Sequence, residues 1–117
     1  MDIINKEMLE LEKKLKDNNV PYLVKYFSYF DGSGGYRDFS IKDIIGESRI
    51  FEVERYENPI SETYKVYFIP KEDKAEFEIK EIHDVIRQGY FKQKYRLTYD
   101  KNRGWFKEII ESYEEVD

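Results

Sequence analysis

The chain has 117 residues, with 20 Lys and Arg against 25 Asp and Glu, a formal net charge of -5, and 17% aromatic residues. That length fits one domain, 1–117, with one modest core, and eleven tyrosines, eight phenylalanines and one tryptophan supply too much burial for a disordered chain. The absence of cysteine excludes disulfides, thiolate catalysis and Cys-ligated metal, and no stretch approaches the ~20 apolar residues of a membrane-crossing helix.

The N-terminal stretch Met1-Asp2-Ile3-Ile4-Asn5-Lys6-Glu7 is charged and has no apolar signal region, which reads as a cytoplasmic protein. Residues 3–18 are predicted as a helix, because Ile4, Met8, Leu11 and Leu15 form one apolar stripe and Glu10/Lys14 and Glu12/Lys16 stand at favourable spacing. Asp17-Asn18-Asn19 and Pro21 end it. Residues 20–30 are β-branched and aromatic and read as a strand, followed by the turn Asp31-Gly32-Ser33-Gly34-Gly35 and a partner from Tyr36 to Ile41. Residues 49–57 and 62–69 read as further strands around Asn58-Pro59. In 71–88 the pattern suggests a strand at 75–80, hairpinned to the preceding strand through Pro70–Lys74, then a short helical piece to Gln88. Residues 90–99 alternate cleanly, with Phe91, Tyr95, Leu97 and Tyr99 on one face and Lys92, Lys94, Arg96 and Thr98 on the other. In 105–115, Trp105/Ile109/Tyr113 and Phe106/Ile110 form two adjacent rows at helical spacing, which favours a C-terminal helix over a last strand. The expected fold is α+β, an N-terminal and a C-terminal helix packed on a four- to six-stranded antiparallel sheet.

No catalytic constellation emerges. His83 is the single histidine, and its neighbour Asp84 diverges from it on either a strand or a helix. Gly32-Ser33-Gly34-Gly35 lacks the Gly-Lys-Ser/Thr end and following helix of a phosphate loop. Carboxylates spaced by two, such as Glu52/Glu54 and Glu76/Glu78, would share a strand face and serve solubility. The reading is a non-enzyme without metal or cofactor.

Charge is unevenly spread. Arg87 to Lys107 holds seven bases and one acid, Glu108 to Asp117 holds five acids and no base, and Asp43 to Glu62 holds six acids and two bases. Aromatics interleave the basic strand, as in nucleic-acid platforms, but they occupy the other face, and the net charge of -5 opposes phosphate. Exposed tyrosines favour protein interfaces. Size, acidity and tyrosine content together resemble bacterial immunity proteins, antitoxins and phage-encoded inhibitors of host defence, although no family motif carries the resemblance. The expected function is inhibition of another protein by occluding its basic surface, through Glu108, Glu111, Glu114, Glu115, Glu52, Glu54 and Tyr56. The alternative is a small-ligand domain with an aromatic-lined pocket on a curved sheet. Free strand edges would also allow a homodimer.

Overall fold

A computed structural model describes residues 5–85 and 89–115. Helix α1 spans Lys6–Asp17. The Asn5 side chain caps it by accepting from the Met8 amide at 3.3 Å, and Lys14 and Lys16 lie in the last turn, where they suit the helix dipole. Leu15 is buried, and Met8 and Leu11 join it against Phe51 and Tyr67. Ile3 and Ile4, part of the predicted stripe, lie outside the described residues.

Seven strands follow: β1 Leu23–Gly32, β2 Gly35–Ile45, β3 Glu47–Glu57, β4 Ile60–Ile69, β5 Lys74–Val85, β6 Gly89–Asp100 and β7 Gly104–Glu115. All pairings are antiparallel, and the order is β3-β4-β1-β2-β5-β6-β7. β1 and β2 pair only from Phe30↔Arg37 to Gly32↔Gly35, then separate. The sheet therefore divides into a small half, β3-β4-β1, and a large half, β2-β5-β6-β7. Two short connections fold one half against the other. Gly46 alone joins β2 to β3, and Pro70–Asp73 joins β4 to β5, although neither pair is adjacent in the sheet.

The core fills the fold between the halves. Phe27, Val66 and Phe68 of the small half meet Ala75, Phe77, Ile79, Tyr95 and Leu97 of the large half. Phe68 and Phe77 pack edge to face at 4.9 Å, within the range where aromatic pairs add to area burial. Lys25 of β1 and Lys107 of β7 set their ammonium groups 5.0 and 4.2 Å from the centroid of the buried Tyr95 ring, a cation–π arrangement across the seam. Burial, and then the nearby Glu81 carboxylate, push the Tyr95 hydroxyl well above its ordinary pKa. The Trp105 indole donates to the Pro21 carbonyl at 3.2 Å and ties β7 to the entry of β1. Helix α1 covers the other face of the small half through Tyr67, Phe51 and Val24.

This architecture corrects the α+β expectation: the described residues are mostly sheet, with seven antiparallel strands and one short helix. The C-terminal helix is strand β7. Its register slips between Lys94 and Tyr95, so Ile109 stands opposite Tyr95 while Glu111 stands opposite Lys94. Ile110 is the extra residue of this bulge, and it splits the predicted row: Trp105 and Ile109 stand opposite Tyr99 and Tyr95, whereas Tyr113 stands opposite Lys92 on the other face. The helical piece before Gln88 is strand to Val85, and 86–88 lie outside the described residues. β5 pairs with β2 and β6 rather than with β4.

Candidate functional site

The seven acidic and tyrosine positions expected to bind a partner do not form one patch. Glu108 and Glu111 lie on the solvent-facing side of the large half, opposite Arg96 and Lys94, with Glu111 3.9 Å from Lys92. Glu114 and Glu115 continue β7, and their side chains lie outside the described set. Glu54 and Tyr56 are exposed on β3, and a hydrogen bond from Tyr56 to Glu54 raises the Tyr56 pKa. Glu52 is separated from them. The β3 register shifts between Glu52 and Glu54, so Glu52 stands opposite Tyr64 while Glu54 stands opposite the adjacent Thr63. Neighbours on a strand face opposite ways, so this bulge at Val53 puts the two carboxylates on opposite faces, against the spacing rule. Glu76 and Glu78 do share a face, and they hold Arg96 at 2.9 Å and Lys94 at 2.8 Å. The basic strand is thus largely neutralised by its neighbours.

Glu52 instead neighbours Glu62, which with Tyr29, Asp38, Phe39, Arg55, Ile60 and Tyr64 lines a cavity of about 450 Å³, open to solvent. It lies where β1 and β2 begin to separate. Two cross-strand rows build one wall: Arg55, Glu62 and Tyr29 stand opposite one another in turn, and so do Glu52, Tyr64 and Phe27. Phe39 reaches in from β2, 4.8 Å from the Phe27 ring and 5.4 Å from that of Tyr64. Tyr29 packs edge to face on Tyr36 at 6.0 Å, and the Tyr36 hydroxyl donates to Asp38 at 3.0 Å.

The electrostatics of this site are negative. The Tyr64 hydroxyl donates to Glu62. Burial, then repulsion from Glu52 and a hydrogen bond shared with it, hold the Glu62 carboxyl above its ordinary pKa. Among the described residues Arg55 is the only cation in the lining, and its guanidinium is turned to Glu57 at 3.1 Å. Two carboxylates, of Asp38 and Glu62, therefore line the cavity beside aromatic rings, with Glu52 next to Glu62 and one partly engaged counter-charge. Such a site suits an organic cation, whose charge meets the carboxylates and whose carbon stem meets the rings.

The other sequence features are placed apart from it. His83 stands opposite Arg37 and Phe91, whereas Asp84 stands opposite Tyr36 and Tyr90, so the two point to different faces. Gly32 to Gly35 form the β1–β2 turn. Among the described residues no group of three or more His, Cys, Asp or Glu is arranged to hold a metal ion, and no helix is long and apolar enough to cross a membrane. Sequence reasoning named Glu52 as a partner-binding residue but did not single out its neighbour Glu62, nor Asp38, Tyr29 or Tyr64, for this site. Their convergence depends on the β4–β1 and β2 pairings, which leave no local pattern. Comparison with protein families, characterised proteins and solved structures found no match.

Proposed function

We propose that the chain is a non-catalytic cytoplasmic binding module that captures another protein by a basic surface and inhibits it by occlusion, in the manner of an immunity protein, antitoxin or anti-defence protein. The observation that supports this best is the aromatic cavity lined by Asp38 and Glu62, with Glu52 beside Glu62, against Arg55 as the one cation among the described lining residues. A lysine or arginine projecting from the partner would lay its stem on Tyr29, Phe39 and Tyr64 and bring its charge to the carboxylates. The remaining net charge of -5 would steer the encounter. The experiment is capture from host lysate at low and high salt, followed by kinetics of the purified pair with wild type and with Glu62→Gln. Loss of affinity in the variant, mainly in the off-rate, is the expected result.

A second reading follows from the volume of the cavity. About 450 Å³ lies within the range of small-molecule sites, roughly 300–1,000 Å³. A free organic amine would then occupy the space given above to a partner's side chain. Melting curves with a panel of polyamines and arginine derivatives separate the two: a rise of several degrees with one free amine favours the small ligand.

A further inference from the structure

The solvent-facing side of the large half carries a second charge pattern. In one cross-strand row Lys42, Glu78, Arg96 and Glu108 stand opposite one another in turn, so the signs alternate across β2, β5, β6 and β7. The next row is Ser40, Lys80, Lys94 and Glu111, in which two lysines are directly opposed. Directly opposed like charges destabilise a sheet. The neighbouring acids do not relieve Lys80. Glu78 is held by Lys94 at 2.8 Å, Glu76 by Arg96 at 2.9 Å, and Glu111 lies 3.9 Å from Lys92. The row beyond, Asp38, Ile82, Lys92 and Tyr113, holds one acid, Asp38, whose carboxylate accepts from the Tyr36 hydroxyl and the Phe39 amide. Among the described residues, Lys80 is left by this ladder without an ion pair, and Lys42 only shares Glu78, whose pKa it helps to lower, with Lys94.

The same side chains bound a groove of about 340 Å³. Four ammonium groups, of Lys42, Lys80, Lys92 and Lys94, line it with two carboxylates, of Glu78 and Glu111, and with Ser40. A local excess of positive charge thus sits in a chain of net charge -5. We propose that this groove binds a small phosphate-bearing anion carrying two or more charges, with Lys80 and Lys42 as its charge partners and Ser40 as a hydrogen-bond donor. Lysine acts on phosphate as a point charge and needs no fixed fork geometry, which fits a groove lined by lysine without arginine. A compact anion is favoured over a nucleic-acid strand, because Glu76 and Glu108 flank the groove and the whole-chain charge would repel a long polyanion.

The test is thermal melting of wild type, Lys80→Gln and Lys42→Gln with inorganic pyrophosphate, against chloride and sulfate at matched ionic strength. Wild type is expected to gain at least about 4 °C with saturating pyrophosphate. Lys80→Gln is expected to melt at or above the wild-type temperature without ligand, since the opposed pair is gone, and to lose most of the pyrophosphate response. Lys42→Gln should weaken that response without the stabilisation. An unchanged wild-type melt, an equal shift with sulfate, or a full shift in both variants would overturn the proposal. So would a single-stranded oligonucleotide that binds more tightly than pyrophosphate, since that would make the groove a nucleic-acid surface.

Discussion

The Tyr67 hydroxyl donates to the Glu12 carboxylate at 2.6 Å and thereby fastens α1 to β4. Lys16 and Lys65 approach the same carboxylate at 2.9 and 3.5 Å. The Tyr67 hydrogen bond first, and the Lys16 hydrogen bond second, draw the Glu12 pKa down to about 2. A carboxylate depressed in the folded state adds stability above its unfolded pKa and loses it as pH falls towards the folded value. Wild type should therefore lose stability between about pH 5 and pH 2 through this group, and Glu12→Gln should flatten that part of the curve. Tyr67→Phe should cost about 1–2 kcal/mol at neutral pH, the usual worth of a hydrogen bond to a partly solvated charge. Urea denaturation across pH measures both.

Gly46 decides whether the two halves can close. Its φ is +117°, and a β-carbon there would lie 2.6 Å from the Ile69 carbonyl oxygen and 3.0 Å from the Phe77 ring. Gly46→Ala is expected to cost more than about 2 kcal/mol, since both the backbone and its neighbours must shift. Gly34 also has a positive φ, +94°, but a β-carbon there meets nothing within 4 Å. Gly34→Ala should cost only about 1 kcal/mol, the strain alone. Equilibrium denaturation of the two variants compares them directly.

Trp105 reports the seam. It is the only tryptophan, its ring lies 6.4 Å from that of Phe77 at 19°, and it packs on Tyr99 at 5.0 Å. Phe77 is fully buried between the halves, so Phe77→Ala should cost about 3–5 kcal/mol. The same variant should red-shift native Trp105 emission, because the indole loses its stacked neighbour and gains water. A blue or unshifted native spectrum would show that the indole is held elsewhere.

These elements also show what local sequence reports and what it misses. The alternation of 90–99 survives as β6 because both faces have steady partners: Tyr95 and Leu97 enter the core, while Lys94 and Arg96 meet Glu78 and Glu76. The stripe Met8, Leu11 and Leu15 likewise marks α1. Two of the failures fall at bulges. One extra residue at Ile110 turns Tyr113 to the face opposite that of Trp105 and Ile109, and one at Val53 sets Glu52 on the face of Tyr64 and Glu62 and Glu54 on the other. Pairing of β2 with β5 joins segments some forty residues apart, and neither strand carries a local sign of it.

The cavity carboxylates pit stability against binding. Glu62 is held above its ordinary pKa by burial and by Glu52, so its ionised form at neutral pH opposes folding. The sign is the reverse of that at Glu12: this penalty is absent at low pH and appears as pH rises past the unfolded pKa. Glu62→Gln should therefore raise the melting temperature at neutral pH and leave it nearly unchanged in acid. Capture of a cationic partner should weaken in the same variant, and should weaken in wild type as pH falls and Glu62 takes up a proton.

The most direct measurement is the association and dissociation kinetics of the captured partner against ionic strength, for wild type and for the double variant Glu52→Gln, Glu62→Gln. The expected result is a wild-type on-rate that falls steeply with salt, and a double variant with faster dissociation and a shallower salt dependence. An on-rate indifferent to salt, or a double variant that holds the partner as tightly as wild type, would contradict cation capture by this cavity.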